Sequence, residues 1–149
     1  MKICKNCQAL YDGLKWSFNQ ELYEKYKDDR ETEKILCPAC KRLKDKVVAG
    51  ILYLEGEILL TKKEEIINFI NNEAKKALAN NFMSRILRME AEGRKLTIYS
   101  IDAPLALYLG KRFKEAFHGH LEIQRTGEHI SGRKGEKPRG EDVSVKWHE

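Results

Sequence analysis

Two Cys-x-x-Cys pairs constrain this chain more than any other feature: Cys4-Lys5-Asn6-Cys7 and, after 29 intervening residues, Cys37-Pro38-Ala39-Cys40. The 149 residues contain no other cysteine. Each pair can fold as a tight turn that directs both sulfurs at one point, and four thiolates suit the tetrahedral coordination of a single structural ion. The spacing predicts a Cys4 zinc ribbon in which Cys4, Cys7, Cys37 and Cys40 hold one Zn2+. The gap exceeds the ~15–20 residues of the common pattern. The segment between the pairs should therefore carry structure of its own, with a short helix around Tyr23 to Tyr26.

The same thiols have other chemical uses. A redox Cys-x-x-Cys centre ordinarily occurs once, at the start of a helix in a βαβ unit, and no such unit surrounds the first pair. Structural disulfides suit an oxidising compartment or a thermophile, and the Lys- and Glu-rich composition leaves the latter open. An iron–sulfur cluster draws on the same ligand type and stays open beside zinc. A site closed by four sulfurs leaves no position for water or substrate, so its expected role is structural.

Residues 1–46 form the expected zinc-ribbon module. It carries eleven Lys or Arg against eight Asp or Glu, with Lys41, Arg42, Lys44 and Lys46 crowded after the second pair. Pro38 is tolerated in a first helical turn, so a helix should start at the metal site and carry this basic run. A solvated helix face explains the same charges without a ligand.

Residues 47–149 read as an α+β domain. Val47 to Leu54 has β character, Gly56 marks a turn, and Ile58-Leu59-Leu60 reads as a second short strand. Thr61 with Glu64 fits a capping box, opening a helix whose apolar stripe is Ile66, Ile67, Ile70, Ala74, Ala77 and Leu78. In the following strand Leu87, Met89 and Ala91 alternate with Arg88 and Glu90; a turn at Glu92-Gly93-Arg94 leads to a partner strand from Leu96 to Ile101. Asp102 is placed to cap a second helix with Pro104 in its first turn and Leu105, Leu109, Phe113, Ala116 and Phe117 on one face. Gly119 closes it, and strands at Leu121–Ile123 and at Val143, Val145 and Trp147 follow. The order ββ-α-ββ-α-ββ, stripped of its outer extensions, is that of a split-βαβ, ferredoxin-like sandwich with extra strands.

The stretch 127–140 reads as a long basic hairpin loop with four glycines, one proline and almost nothing to bury. A loop of this length in a compact domain is functional or unstructured, and Arg133, Lys134, Lys137 and Arg139 would make it an arm for phosphate. An inert hairpin tip is the plain alternative.

Charge and motifs narrow the function. Lys and Arg total 28 against 23 Asp and Glu, a net +5 that favours an anionic partner without demanding one. No run of ~18 apolar residues could span a membrane. The first residues lead into a cysteine pair without a secretory pattern, which points to a reducing cytoplasm. Of the histidines His118, His120, His129 and His148, the sequence His118-Gly119-His120 could bring two imidazoles together. No carboxylate partner is identifiable by spacing, however, and P-loop, G-x-S-x-G and H-E-x-x-H motifs are missing. The reading is therefore non-catalytic.

Several of these stretches resemble a known family. Cys37 to Arg42, then Ala49 to Gly56, then the helix with Glu65-Ile66 and Asn72-Glu73, are similar to a group of small prokaryotic zinc-ribbon proteins. That group is in turn similar to the zinc-binding N-terminal part of the Nmd-three family, whose eukaryotic members are export adapters for the large ribosomal subunit. The segment Ser100 to Gly110 resembles the helix-opening segment of the same proteins. The resemblance covers about half of the chain; the further Cys-x-x-Cys pairs and downstream domains of the larger members are missing. It implies a metal-holding role for the four cysteines and docking on ribosomal RNA or a ribosomal subunit; the basic charge of the chain then offers Lys41, Arg42, Lys44, Lys46, Arg133, Lys134, Lys137 and Arg139 as the RNA-facing residues. The alternatives from the residues themselves are a protein–protein adaptor and a small hydrolase or nuclease using the histidines.

Overall fold

The computed structural model describes residues 1–126 and 142–149. The basic loop read at 127–140, with Arg133, Lys134, Lys137, Arg139 and His129, lies outside the described residues. The chain divides into two compact units, Met1–Asp45 and Lys46–Glu149.

In the first unit, β1 (Lys2–Cys4), β2 (Leu10–Tyr11) and β3 (Trp16–Ser17) form an antiparallel run. Then come α1 (Gln20–Tyr26), β4 (Glu33–Ile35) and α2 (Pro38–Lys44). The four strands order as β3-β2-β1-β4, with β4 parallel to β1. The β2–β3 turn is built by Asp12, whose carboxylate accepts the backbone N–H groups of Leu14 and Lys15 at 2.8 and 2.9 Å. Asn19 caps α1 by accepting from the N–H of Leu22. The long gap between the cysteine pairs thus holds a hairpin and a helix.

The second unit contains β5 (Gly50–Glu55), α3 (Ile58–Thr61), α4 (Lys63–Asn80), β6 (Ile86–Glu92), β7 (Lys95–Ser100), α5 (Ala103–Phe117), β8 (His120–Thr126) and β9 (Asp142–His148). Its sheet order is β6-β7-β5-β9-β8. Strand β7 is antiparallel to both β5 and β6, so β5-α4-β6 is a crossover between parallel strands with β7 between them. The second crossover, β7-α5-β8, departs from the simple split-βαβ order. That order would set β8 directly against β5, but β9 takes the place and pairs with β5 in parallel. Burial accounts for the insertion: Val143, Val145 and Trp147 are fully buried, whereas β8 exposes His120, Glu122, Gln124 and Arg125. The apolar strand goes inside and the charged one forms the edge, where charge discourages further pairing.

Both long helices cover one face of this sheet. Leu52, Leu54, Leu96, Ile98, Val143, Val145 and Trp147 meet Ile66, Ile70, Leu105, Leu109 and Phe113 in a single core. The alternate positions Tyr53, Glu55, Lys95, Lys146 and His148 are exposed, as period-2 strands with one wet face require. Asp102 caps α5, accepting from the N–H of Leu105 at 3.2 Å and from the hydroxyl of Ser84 at 2.9 Å.

Three local readings are corrected. Ile58–Thr61 is a helical turn, because β5 is already paired on both sides and offers Ile58-Leu59-Leu60 no free edge. Leu59 turns into the core and Leu60 is exposed. Thr61 and Glu64 form no capping box; the N-cap of α4 is Lys62, which the preceding helical turn delivers without a side-chain cap. In β6 the register slips between Ile86 and Arg88, so the alternation breaks at Leu87, and Ala91 is exposed; Ala116 of α5 is exposed as well.

One buried position breaks the apolar stripe of α4. Glu73 lies between Ile70 and Ala77 on the buried face. Its carboxylate accepts from the Tyr108 hydroxyl at 2.6 Å, Lys76 Nζ at 3.2 Å and Arg112 Nε at 3.4 Å, tying α4 to α5. Burial works against ionisation, but the three donors outweigh it and hold this carboxyl below the usual glutamate range. A depressed folded pKa adds stability that is complete above the unfolded pKa and is lost as pH falls through the folded value. Glu73→Gln should therefore cost about 2 kcal/mol at neutral pH and flatten the loss of stability below about pH 4. Urea denaturation of both proteins at pH 7 and pH 3.5 checks this; parallel pH profiles would refute it.

Candidate metal centre

The four cysteines converge because of how β1, β4 and α2 follow one another. Strand β1 ends at Cys4, and the chain turns back through Gln8, at φ 66°, with Cys4 N donating to Ala9 O at 2.8 Å. Within this turn the N–H groups of Asn6 and Cys7 both point at Cys4 Sγ, each at 3.4 Å. Parallel pairing sets Ile35 of β4 opposite Cys4. Two residues later the N–H of Cys37 reaches the same Cys4 sulfur at 3.4 Å.

Cys37 is also the N-cap of α2, followed by Pro38 in the first turn, and its sulfur accepts from the N–H of Cys40 at 3.3 Å. The second pair is thus a helix start in which the capping atom is a ligand sulfur. Asn6 adds a side-chain donor, Nδ2 to Cys40 Sγ at 3.3 Å.

All four sulfurs lie within 4.8 Å of one another, and Cys7 Sγ and Cys37 Sγ are 3.7 Å apart. Tetrahedral bonds of about 2.3 Å place neighbouring sulfurs about 3.8 Å apart, so the cage matches one ion. A multi-iron cluster would have to fit its irons and sulfides between the cysteines and needs a wider cage. None of the four cysteines is joined in a disulfide. Among the described residues no other group of three or more His, Cys, Asp or Glu comes close enough to share an ion.

The electrostatics of the cage call for a cation. At Cys4 burial raises the thiol pKa, but the N–H groups of Cys7, Cys37 and Asn6 outweigh it and bring the thiol down to about 6. At Cys37 burial dominates, the charge of Cys7 adds to it, and the thiol is pushed up. One thiolate forms readily and the next is opposed by low polarity and by its neighbour's charge. A divalent ion at the centre removes that opposition, and the N–H donors already aimed at the sulfurs then spread the remaining negative charge. The residues present fit a closed, four-sulfur metal site.

The sequence matches no protein-family model and no curated protein. What the site can do rests on its own geometry.

The basic residues divide between the two units. Lys41 and Lys44 are exposed on α2 and Arg42 is half-buried, all within the cysteine unit. Lys46 begins the second unit at a φ of 55°. Lys5, Asn6, Leu36, Cys40, Leu43 and Lys44 line a shallow depression of about 480 Å³ beside the cysteine cage. Part of the charge has a local explanation, since Lys41, Arg42 and Lys44 sit where cations favour the C-terminal carbonyls of a helix.

The histidines are arranged otherwise than His118-Gly119-His120 suggests. His118 ends α5 at a φ of 63°, its carbonyl accepting the indole N–H of Trp147. His120 opens β8, and its partner is His148 of β9, with ring centroids 5.1 Å apart. Asn6 and this cross-strand pair are the polar features that spacing does not single out. The alternation of β9 puts His148 on the wet face, but only the β8–β9 register shows what stands beside it.

Proposed function

We propose that this chain is a non-catalytic zinc protein of the cytoplasm that docks on ribosomal RNA or a ribosomal subunit. The observation that carries the reading is the four-cysteine cage with a basic helix growing directly out of it. Zinc fits because thiolate donors at tetrahedral spacing with every position filled by protein make a structural site. On this reading the metal holds the first unit, a zinc ribbon, in shape. Lys5 and Lys44 flank the depression beside the cage, and Lys41 extends the positive surface toward phosphate. The second unit is read as a ferredoxin-like sandwich elaborated by β9, and the resemblance to Nmd-three zinc regions supports the choice of a ribosomal partner.

Binding of the full chain to purified ribosomal RNA should weaken steeply with salt, and Lys41→Gln with Lys44→Gln should reduce the slope of log K against log salt by about 2. Filter binding between 50 and 300 mM salt measures it. Salt-independent binding, or none to RNA or to intact subunits, would sink the proposal.

A second reading, a protein–protein adaptor, draws support from Leu14, 89% exposed, and Phe18, 48% exposed, on the cysteine unit. Leu14→Ser with Phe18→Ser separates the two. The change leaves RNA affinity alone if the basic helix makes the contact, and abolishes capture of the partner if the apolar loop does.

A further inference from the structure

We propose that His120 and His148 form a second, exchangeable site for a divalent transition-metal ion on the open face of the five-stranded sheet. The two residues stand directly opposite each other in the antiparallel β8–β9 register. Both side chains are exposed, and their rings are tilted by only 30° at a centroid separation of 5.1 Å. Two imidazoles bound to one ion through nitrogens at about 2.1 Å hold their ring centres about 5 Å apart at tetrahedral or square angles. The register thus brings the two exposed rings to chelating separation, and turning the stacked rings about their side-chain bonds aims one nitrogen of each at a shared ion.

Two further features prepare it. Nδ1 of His148 lies 3.0 Å from the main-chain oxygen of Glu149. That oxygen only accepts, so in the tautomer whose Nδ1 donates to it Nε2 keeps its lone pair for a metal. A backbone carbonyl on the second ring nitrogen is the usual support of a metal-bound histidine. The register itself is locked on the neighbouring residues. Gly119 adopts a φ of 85°, and a Cβ there would come within 2.6 Å of His148 O and 2.7 Å of the Trp147 ring. With the indole N–H of Trp147 on the carbonyl of His118, this close approach fixes the start of β8 against the end of β9. The imidazoles are held together by backbone geometry and need no metal to assemble.

Two ligands leave the remaining coordination positions to water or to a small anionic or neutral donor. His148 borders an open depression of about 480 Å³ shared with Glu55, Glu122 and Lys146, which gives such a ligand room. Imidazole donors suit Ni2+, Cu2+ and Zn2+, with Cu2+ bound most tightly in the ordinary order of affinities. The site differs from the cysteine cage in every respect that matters for exchange: it is exposed, nitrogen-based and incomplete.

The test uses the full chain with its cysteine site saturated with Zn2+ and titrates Ni2+ as a paramagnetic probe. Amide signals of residues 119–122 and 146–149 should broaden first. His120→Phe and His148→Phe keep an aromatic ring in the stack but remove the ligand nitrogen, and each alone should weaken Ni2+ binding at least tenfold, because a chelate loses most of its affinity with either arm. His120→Gln serves the same purpose should the Phe variant fold poorly. Broadening centred elsewhere, or an affinity that changes less than twofold in either variant, would overturn the proposal.

Discussion

Replacing Cys37 with serine should strip the metal and unfold residues 1–45 while leaving Lys46–Glu149 folded. The expectation follows from how little else holds the first unit. Its buried apolar residues are Ile3, Cys4, Ala9, Leu10, Cys37, Ala39 and Cys40, so three of the seven belong to the cage itself. Helix α1 buries nothing, and its strands are two or three residues long. A chain near 40 residues cannot bury enough surface to stand alone, whereas a structural zinc contributes about 10–16 kcal/mol of apparent binding energy. Serine at Cys37 still caps α2 and keeps the backbone N–H that reaches the Cys4 sulfur, so the substitution isolates the loss of one ligand sulfur from the ion. Metal analysis should fall from one ion per chain to none, and amide signals of residues 1–45 should collapse to random-coil positions. A chelator acting on the unaltered protein should do the same. Dispersed signals for this unit without metal, or no stoichiometric metal in the purified protein, would remove the site from the account.

What could be read in advance was what depends on near neighbours in sequence. The cysteine spacing, Pro38 in the first turn of α2 and Asp102 ahead of Pro104 are all settled within a few residues, where local geometry decides. Ile58-Leu59-Leu60 misleads because its β propensity is real but there is no sheet edge to receive it, and tertiary pairing overrides propensity. The insertion of β9 between β5 and β8 depends on which strand is the more apolar, a comparison between segments, not a property of either. Glu73 breaks the stripe of α4 because its partners Tyr108 and Arg112 lie on another helix, 35 and 39 residues on. The same holds at the candidate sites: the cysteines announce themselves by spacing, while Asn6 on Cys40 and His148 beside His120 are brought in by folding alone.

In the second unit the largest loss should come from Phe113→Ala. Phe113 is fully buried and central to an aromatic cluster: its ring meets Trp147 edge-on at 4.7 Å, Phe117 in a stack at 4.5 Å and Phe69 edge-on at 6.1 Å. These contacts join α4, α5 and β9, and the β9 end of the cluster is Trp147, whose indole N–H anchors the carbonyl of His118. Truncating such a ring costs about 3–5 kcal/mol through lost burial and the cavity left behind, against a total of roughly 5–15 kcal/mol for a domain. Phe117→Ala, at a half-buried position on the cluster's rim, should cost about half as much. Urea denaturation followed by the amide signals of Lys46–Glu149 measures both, and a loss below about 1 kcal/mol for Phe113→Ala would mean that the cluster repacks freely. The metal content of this variant should not change, since all four sulfurs belong to Met1–Asp45. Cys37→Ser and Phe113→Ala should then give opposite patterns, the first losing metal and the cysteine unit, the second weakening the five-stranded unit while the metal site stays intact. A single shared unfolding transition in both variants would instead make the two units one cooperative body, with the metal stabilising the sheet that carries the histidine pair.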